Sequence, residues 1–145
     1  MLHLQNVTLE NIAKRIKREK MRIVVYGAGM IGKIVAPDMI QRYGLLENID
    51  CYVDCDVRKQ GKYITIGDKP VKICSPTVLD SIAQNSILFI TNSNYSAVLA
   101  TLDENKHLNG MDAIIIPVMQ ALAVKERTNA TETVSYTHLR AHETG

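Results

Sequence analysis

Hydrophobic and polar positions follow two different rhythms along this chain. In "TLENIAKRIKREK", residues 8–20, Leu9, Ile12, Ala13 and Ile16 recur at steps of three and four. That spacing puts them on one face of a helix, and Thr8 has the hydroxyl to cap its first turn. Lys14, Arg15, Lys17, Arg18 and Lys20 fill the other face. A solvated basic face suits the negative end of a helix dipole. An anion-binding or membrane-surface helix is the sharper alternative.

From Arg22 the rhythm changes. Arg22 to Tyr26, "RIVVY", is a short apolar, β-branched run ending at glycine, the pattern of a buried parallel strand. Met30 to Tyr43 returns to helical spacing, with Ile31, Ile34, Val35, Met39 and Ile40 predicted inward. Pro37 should bend this helix and Gly44 should end it. Asn48 to Asp54 predicts a second strand. "YITIGDKPVKI" predicts a small hairpin excursion around Gly67 and Asp68. "SPTVLDSIAQ" opens with Ser75 as a cap and Pro76 in the first turn of a helix. Ile87 to Thr91 is a third core strand, and "NYSAVLATLDENK" a helix after it. "MDAIIIP" is a fourth strand stopped by Pro117, and "VMQALAVKE" begins another helix. Strands alternating with helices predict an α/β fold, doubly wound, with a mainly parallel sheet and helices on both faces. Right-handed crossovers then bring the strand C-termini and their loops to one edge.

Composition narrows the function classes. The chain of 145 residues is the size of one domain, with 46% hydrophobic and 22% charged residues. A net charge of +2 points to neither nucleic acid nor an anionic membrane as partner. No apolar run approaches the ~20 residues that span a bilayer, and the N-terminus lacks a signal-peptide pattern. Cys51, Cys55 and Cys74 form no C-x-x-C pair, so they indicate neither a disulfide framework nor a zinc site. Reduced thiols and a cytoplasmic location are the expectation.

The chemistry concentrates in "RIVVYGAGMIGKIVA". Gly27, Gly29 and Gly32 form a complete G-x-G-x-x-G with a strand before it and a helix after it. In a Rossmann-like domain the first glycine makes the tight turn and the second lets the backbone approach a pyrophosphate. The third lets the helix pack close to the strand. Gly27, Ala28, Gly29, Met30, Ile31 and Gly32 are therefore candidate nucleotide contacts, with the helix N-terminus facing the phosphates. Asp54, 22 residues past Gly32, ends the second strand where a carboxylate can accept bonds from ribose hydroxyls. Asp56 is a second possibility. Asp54 would repel a 2′-phosphate, although Arg58 and Lys59 lie close by. Thr91, Asn92 and Ser93 follow the third core strand on the same edge and can reach a ribose or sugar. Helix capping by Ser93 or Asn94 is the competing reading. Close strand–helix packing without any ligand is the competing reading of the glycines.

Other chemistry is missing. None of the six tyrosines has a lysine four residues later, so the Tyr-x-x-x-Lys pair of short-chain dehydrogenases and epimerases is absent. His107 sits in a polar turn and reads as exposed. Cys51 and Cys74 read as core. Cys55 lies near the presumed ligand edge with nothing beside it to activate the thiol. No paired carboxylates or metal cluster stand out, so no catalytic or metal residue is assigned.

With "VVYGAGMIGK", "CYVDCDVRKQGK", "VKICSP" and "ILFITNSNY" in view, Arg22 to Leu122 resembles the Rossmann-like N-terminal domain of bacterial polysaccharide-biosynthesis proteins. In particular it looks like the leader domain of capsular-type glycosyltransferases. The resemblance implies that Gly27, Gly29, Gly32 and Asp54 contact a nucleotide or nucleotide-sugar. It also implies that catalysis belongs to a C-terminal region with a D-x-D. "DCD", Asp54 to Asp56, ends the second strand and belongs to the ribose site instead. The expected function is a nucleotide or nucleotide-sugar binding module, itself not catalytic, with a small nucleotide as partner and oligomerisation left open. A truncated NAD-dependent oxidoreductase holding an NAD-like dinucleotide is the first alternative. A non-catalytic scaffold is the second.

The end of the chain breaks the pattern. Val134 to Thr144, "VSYTHLRAHET", resembles a translated sequencing adaptor, the transposase mosaic end with its read primer. This predicts a foreign, disordered tail and a natural frame that continued beyond Thr133. His138 and His142 are then not ligands, despite their i, i+4 spacing. The expected organisation is a basic amphipathic helix at 1–21, a nucleotide-binding domain at 22–127, and linker plus tail at 128–145.

Overall fold

The computed structural model describes residues 1–5 and 8–116. The helix expected after Pro117, the linker and the tail lie outside the described residues.

The first element is one that the periodicity did not signal. Strand β1 (His3–Leu4) pairs in parallel with the last strand, His3 opposite Asp112. Two residues are too few to show a period. Helix α1 (Leu9–Glu19) follows as its spacing predicts. The Thr8 side chain accepts the Asn11 amide, and Leu9, Ile12, Ala13 and Ile16 are buried. The basic face is partly committed. Arg15 pairs with Asp112 at 2.8 Å and with Glu19 at 3.0 Å. Asp112 is 8% exposed and also accepts the Gln5 side chain at 2.7 Å, so this carboxylate ties β1 and α1 to the sheet.

Strand β2 (Arg22–Tyr26) is central and leads into the glycine loop. The helix after it departs from expectation. Ile31–Val35 is a wider π-helical turn, and only Ala36–Arg42 (α2) is regular. Pro37 supplies the reason. It has no amide to donate and would crowd the carbonyl four residues earlier. The wider turn carries the Ala36 amide to the Ile31 carbonyl instead. It also shifts the phase of the face. Val35, Met39 and Ile40 are buried as expected, but Ile34 is 54% exposed and Ile31 only half-buried. Gly44, at φ +67, turns the chain out of the helix.

Strand β3 (Ile49–Val53) pairs with β2. The expected excursion is an integral part of the sheet. β4 (Tyr63–Ile66) and β5 (Lys69–Cys74) form an antiparallel hairpin closed by Gly67 and Asp68. β5 also pairs in parallel with β3, Val53 opposite Cys74. After Ser75 the chain makes only a 3₁₀ turn, Pro76–Asp80, where a longer helix was expected. Strand β6 (Ser86–Ile90), helix α3 (Tyr95–Asp103) and strand β7 (Asp112–Ile115) complete the order.

Among the described residues, seven strands lie in the order β1-β7-β6-β2-β3-β5-β4. Starting from β2, the chain first winds outward through β3 and β5. It then crosses to β6 on the other side of β2 and winds outward to β7. This reversal is the doubly wound, Rossmann-like pattern. The strand faces divide the core. Ile23, Val25, Tyr52 and Phe89 pack with α1 and α2. Val24, Tyr26, Val53 and Leu88 pack with Leu79, Leu102 and Leu108 on the other face.

Truncating a side chain on each kind of helical position tests this packing. Ile16, fully buried between α1 and the sheet, should lose about 2–5 kcal/mol as Ile16→Ala. Ile34→Ala should stay within about 0.5 kcal/mol. Urea denaturation of the two variants measures both.

Candidate functional site

The strand order reverses between β2 and β6, and the loops after both strands meet there. Open α/β sheets bind ligands in this crevice. Gly27 leaves β2 at φ +110, a conformation that favours glycine, and its amide bonds the Val53 carbonyl at 2.8 Å. A Cβ at Gly27 would sit 2.6 Å from Thr91 Oγ1 and 3.0 Å from Asn92 Oδ1. A Cβ at Gly32 would fall 2.1 Å from the Gly27 carbonyl oxygen. The helix therefore sits directly on the turn, and only a missing side chain permits it. Gly29 is different. A Cβ there meets nothing within 4 Å. It borders open space rather than a packing contact.

Side chains from the neighbouring strand ends hold this loop. Tyr52, fully buried, donates its hydroxyl to the Gly32 carbonyl at 2.6 Å. Burial pushes its phenol pKa up, so it remains a donor. Thr91 is 5% exposed, and its hydroxyl proton is shared between the carbonyls of Tyr26 and Gly27, at 2.9 and 3.0 Å. Its hydroxyl thus braces the turn at the edge where a ligand contact is expected. Asp54 accepts the Ala28 amide on Oδ2 and the Asp56 amide on Oδ1, both at 2.8 Å. This carboxylate latches the loop after β3 onto the glycine turn. Each oxygen keeps a second lone pair.

The remaining predicted residues divide. Met30 is 74% exposed beside the loop, while Ile31 packs partly against the core. Asn92 Oδ1 is buried without a hydrogen-bond partner among the described residues. Such an atom costs free energy unless something satisfies it. Asn94 stands at the N-cap of α3 without a side-chain cap bond, so capping does not account for this polar run. Asp56 is committed to Arg58. It is bonded by the Arg58 amide and guanidinium, and Arg58 holds its carboxyl down at about 2.

Two contributors were not assigned from sequence. Lys59 Nζ donates to the Ala28 carbonyl at 3.3 Å and lies 3.9 Å from Asp54. Gln60 donates to the Asp54 carbonyl at 2.9 Å. "RKQ" carries no spacing that would single them out. A cleft of about 550 Å³ opens beside them, lined by Gln60, Cys74, Ser75, Thr77 and Val78 among others. It adjoins the Asp54 backbone, whose amide donates to the Cys74 carbonyl at 3.1 Å. Cys51 is buried as expected, and burial, reinforced by Cys74, pushes its thiol up to about 12. Cys55 is exposed, and its sulfur lies 3.4 Å from the Tyr26 hydroxyl. His107 is half-buried rather than exposed, and sits 2.7 Å from the Ile82 carbonyl at the opposite edge of the sheet. Among the described residues no group of three or more His, Cys, Asp or Glu side chains could hold a metal.

Comparison with known proteins identifies the fold. The chain is similar to the crystal structure of RSP, a Rex-family repressor. The two share 20% sequence identity and a TM-score of 0.50, over 83% of this chain and 66% of that one. A second structure, RSP in complex with beta-NADH, matches at 20% identity and a TM-score of 0.44 over the same shares. The chain thus spans about two-thirds of the length of those structures. No protein-family model matches the sequence, and no curated protein matches it. The shared feature is the Rossmann-like α/β fold. No glycosyltransferase is among these similar structures, and that finer part of the sequence resemblance gains no support. No helix among the described residues is long and apolar enough to cross a membrane.

The glycines should respond in opposite ways to a methyl group. Gly32→Ala must displace a backbone carbonyl and should cost about 1–3 kcal/mol or more. Gly29→Ala enters open space at an ordinary φ, and should be neutral or stabilise by about 0.4–1 kcal/mol. Thermal melts of both variants read the difference.

Proposed function

We propose that this domain binds a nicotinamide-type dinucleotide at the glycine turn and is itself non-catalytic. The observation that carries the reading is the division of labour among the glycines. Gly27 and Gly32 are consumed by packing, but Gly29 is not, so packing alone does not account for the second glycine. Close backbone approach to a pyrophosphate does. The Asn92 oxygen, buried without a partner at the same turn, supports a ligand that donates to it.

Gly29 and the opening turn of the helix would receive the phosphates, through free amides and the positive dipole end. Asp54 would accept the ribose hydroxyls on its remaining lone pairs, already oriented by the Ala28 and Asp56 amides. Its charge disfavours a 2′-phosphate, and Lys59 moderates that charge without forming a close pair. The cleft of about 550 Å³ that Gln60 helps to line lies within the usual size range of small-molecule sites. The structure of RSP with beta-NADH gives the choice of dinucleotide its direction. A nucleotide-sugar remains the alternative ligand, on the sequence resemblance alone.

Isothermal titration with NADH, NADPH, AMP and UDP-glucose tests the proposal. NADH should bind saturably and more tightly than NADPH or AMP. Gly29→Val should melt like the parent chain yet bind NADH at least about tenfold more weakly, a loss of about 1.4 kcal/mol or more. Preference for UDP-glucose would favour the nucleotide-sugar reading. No saturable binding of any of the four at millimolar concentration would refute a nucleotide role.

A further inference from the structure

A second cleft, of about 500 Å³, lies at the opposite edge of the sheet, lined by Lys17, Lys20, Arg22, Gly44, Glu47 and Asn48. These residues come from the end of α1, the start of β2 and the turn after α2. The cleft thus gathers three cations against one carboxylate.

Ordinary roles do not account for the lysines. Cations at helix C-termini often serve the last carbonyls. Here the backbone already serves them. The Lys20 amide bonds the Ile16 and Lys17 carbonyls, and the Met21 amide bonds Ile16 at 2.9 Å. At the end of α2 the Tyr43, Gly44 and Leu45 amides bond the Met39, Gln41 and Ile40 carbonyls at 2.8–3.1 Å. The ammonium groups of Lys17 and Lys20 have no hydrogen-bond or ion-pair partner among the described residues. Arg22 is held in place, donating to the Glu47 and Ile49 carbonyls at 3.2 and 3.5 Å. Gly44 keeps the floor open. Its φ is +67, and a side chain there would begin 3.1 Å from Lys17 Nζ.

We infer that this cleft is an anion site for a small phosphate-bearing molecule, separate from the glycine turn. One oriented guanidinium and two ammonium groups without a partner among the described residues suit a dianionic or polyanionic head, since charge-assisted hydrogen bonds to phosphate oxygens are the strong ones. Glu47 sets a limit, because it repels an anion that fills the whole cleft.

The test is titration of the full chain with inorganic pyrophosphate at low salt, followed by amide chemical shifts. Saturable shifts at Lys17, Lys20, Arg22 and Gly44 are expected. A Lys17→Gln/Lys20→Gly variant should bind pyrophosphate at least about tenfold more weakly, given the strength of hydrogen bonds to charged groups. Its fold should persist, because Lys17 is exposed and Lys20 adopts φ 52, a conformation that glycine takes freely. NADH titration of the same variant separates the two sites, since that binding should be unchanged. Should the double variant melt early, Lys20→Gly alone should still weaken pyrophosphate. Non-saturating shifts, shifts confined to Gly27–Gly32, or equal affinity in a folded variant would overturn the assignment.

Discussion

The whole arrangement depends on one close approach, that of the helix at Gly32 onto the carbonyl of Gly27. A single methyl group at Gly32 would stand 2.1 Å from that oxygen. Because the two backbones touch, the helix start is fixed against the end of the central strand. Everything else at the site refers to this contact. Tyr52 bonds the Gly32 carbonyl from β3, and Thr91 bonds the Gly27 carbonyl from beyond β6. Asp54 fixes the residue between the first two glycines. Side chains from β3, its end and the end of β6 thereby clamp one turn of backbone, and the turn arrives at the crevice already ordered. Preorganisation of this kind lowers the entropy that a ligand must otherwise overcome.

The same contact explains the irregular helix. The start of the helix is held by glycine packing and its interior contains Pro37. A regular helix would satisfy the first constraint but clash at the second. The π turn at Ile31–Val35 reconciles them and turns Ile34 outward. Such turns occur often at functional sites. Here the cause is local and steric, and the consequence is that Met30 and Ile34 stand exposed beside the glycine loop.

The fold was legible wherever a period ran long enough. α1 was readable because Leu9, Ile12, Ala13 and Ile16 share one face over two turns, and β2 because five residues are buried or nearly so. The glycine turn and Asp54 were legible because their spacing follows from the geometry of a strand, a turn and a helix. Two-residue β1 has no period, and its place depends on Asp112, which lies over a hundred residues away. The full role of the hairpin was hidden because β5 pairs with β3, a contact that alternation within β5 does not encode. The bonds from the Thr91 hydroxyl to the Tyr26 and Gly27 carbonyls were not legible. Sequence position cannot say whether a hydroxyl faces the opening or the turn beneath it. Lys59 and Gln60 act through a folded-back loop, so no linear spacing reveals them.

The central claim is that the exposed side of this turn receives a dinucleotide. Amide chemical shifts during NADH titration test it most directly, with Gly29, Met30 and the Asn92 side-chain amide as reporters. Saturable shifts concentrated at these groups are predicted, with Met30 and Asn92 needing at least about tenfold more NADH in Gly29→Val. Shifts elsewhere with these three unmoved, or identical shifts in Gly29→Val, would contradict the account.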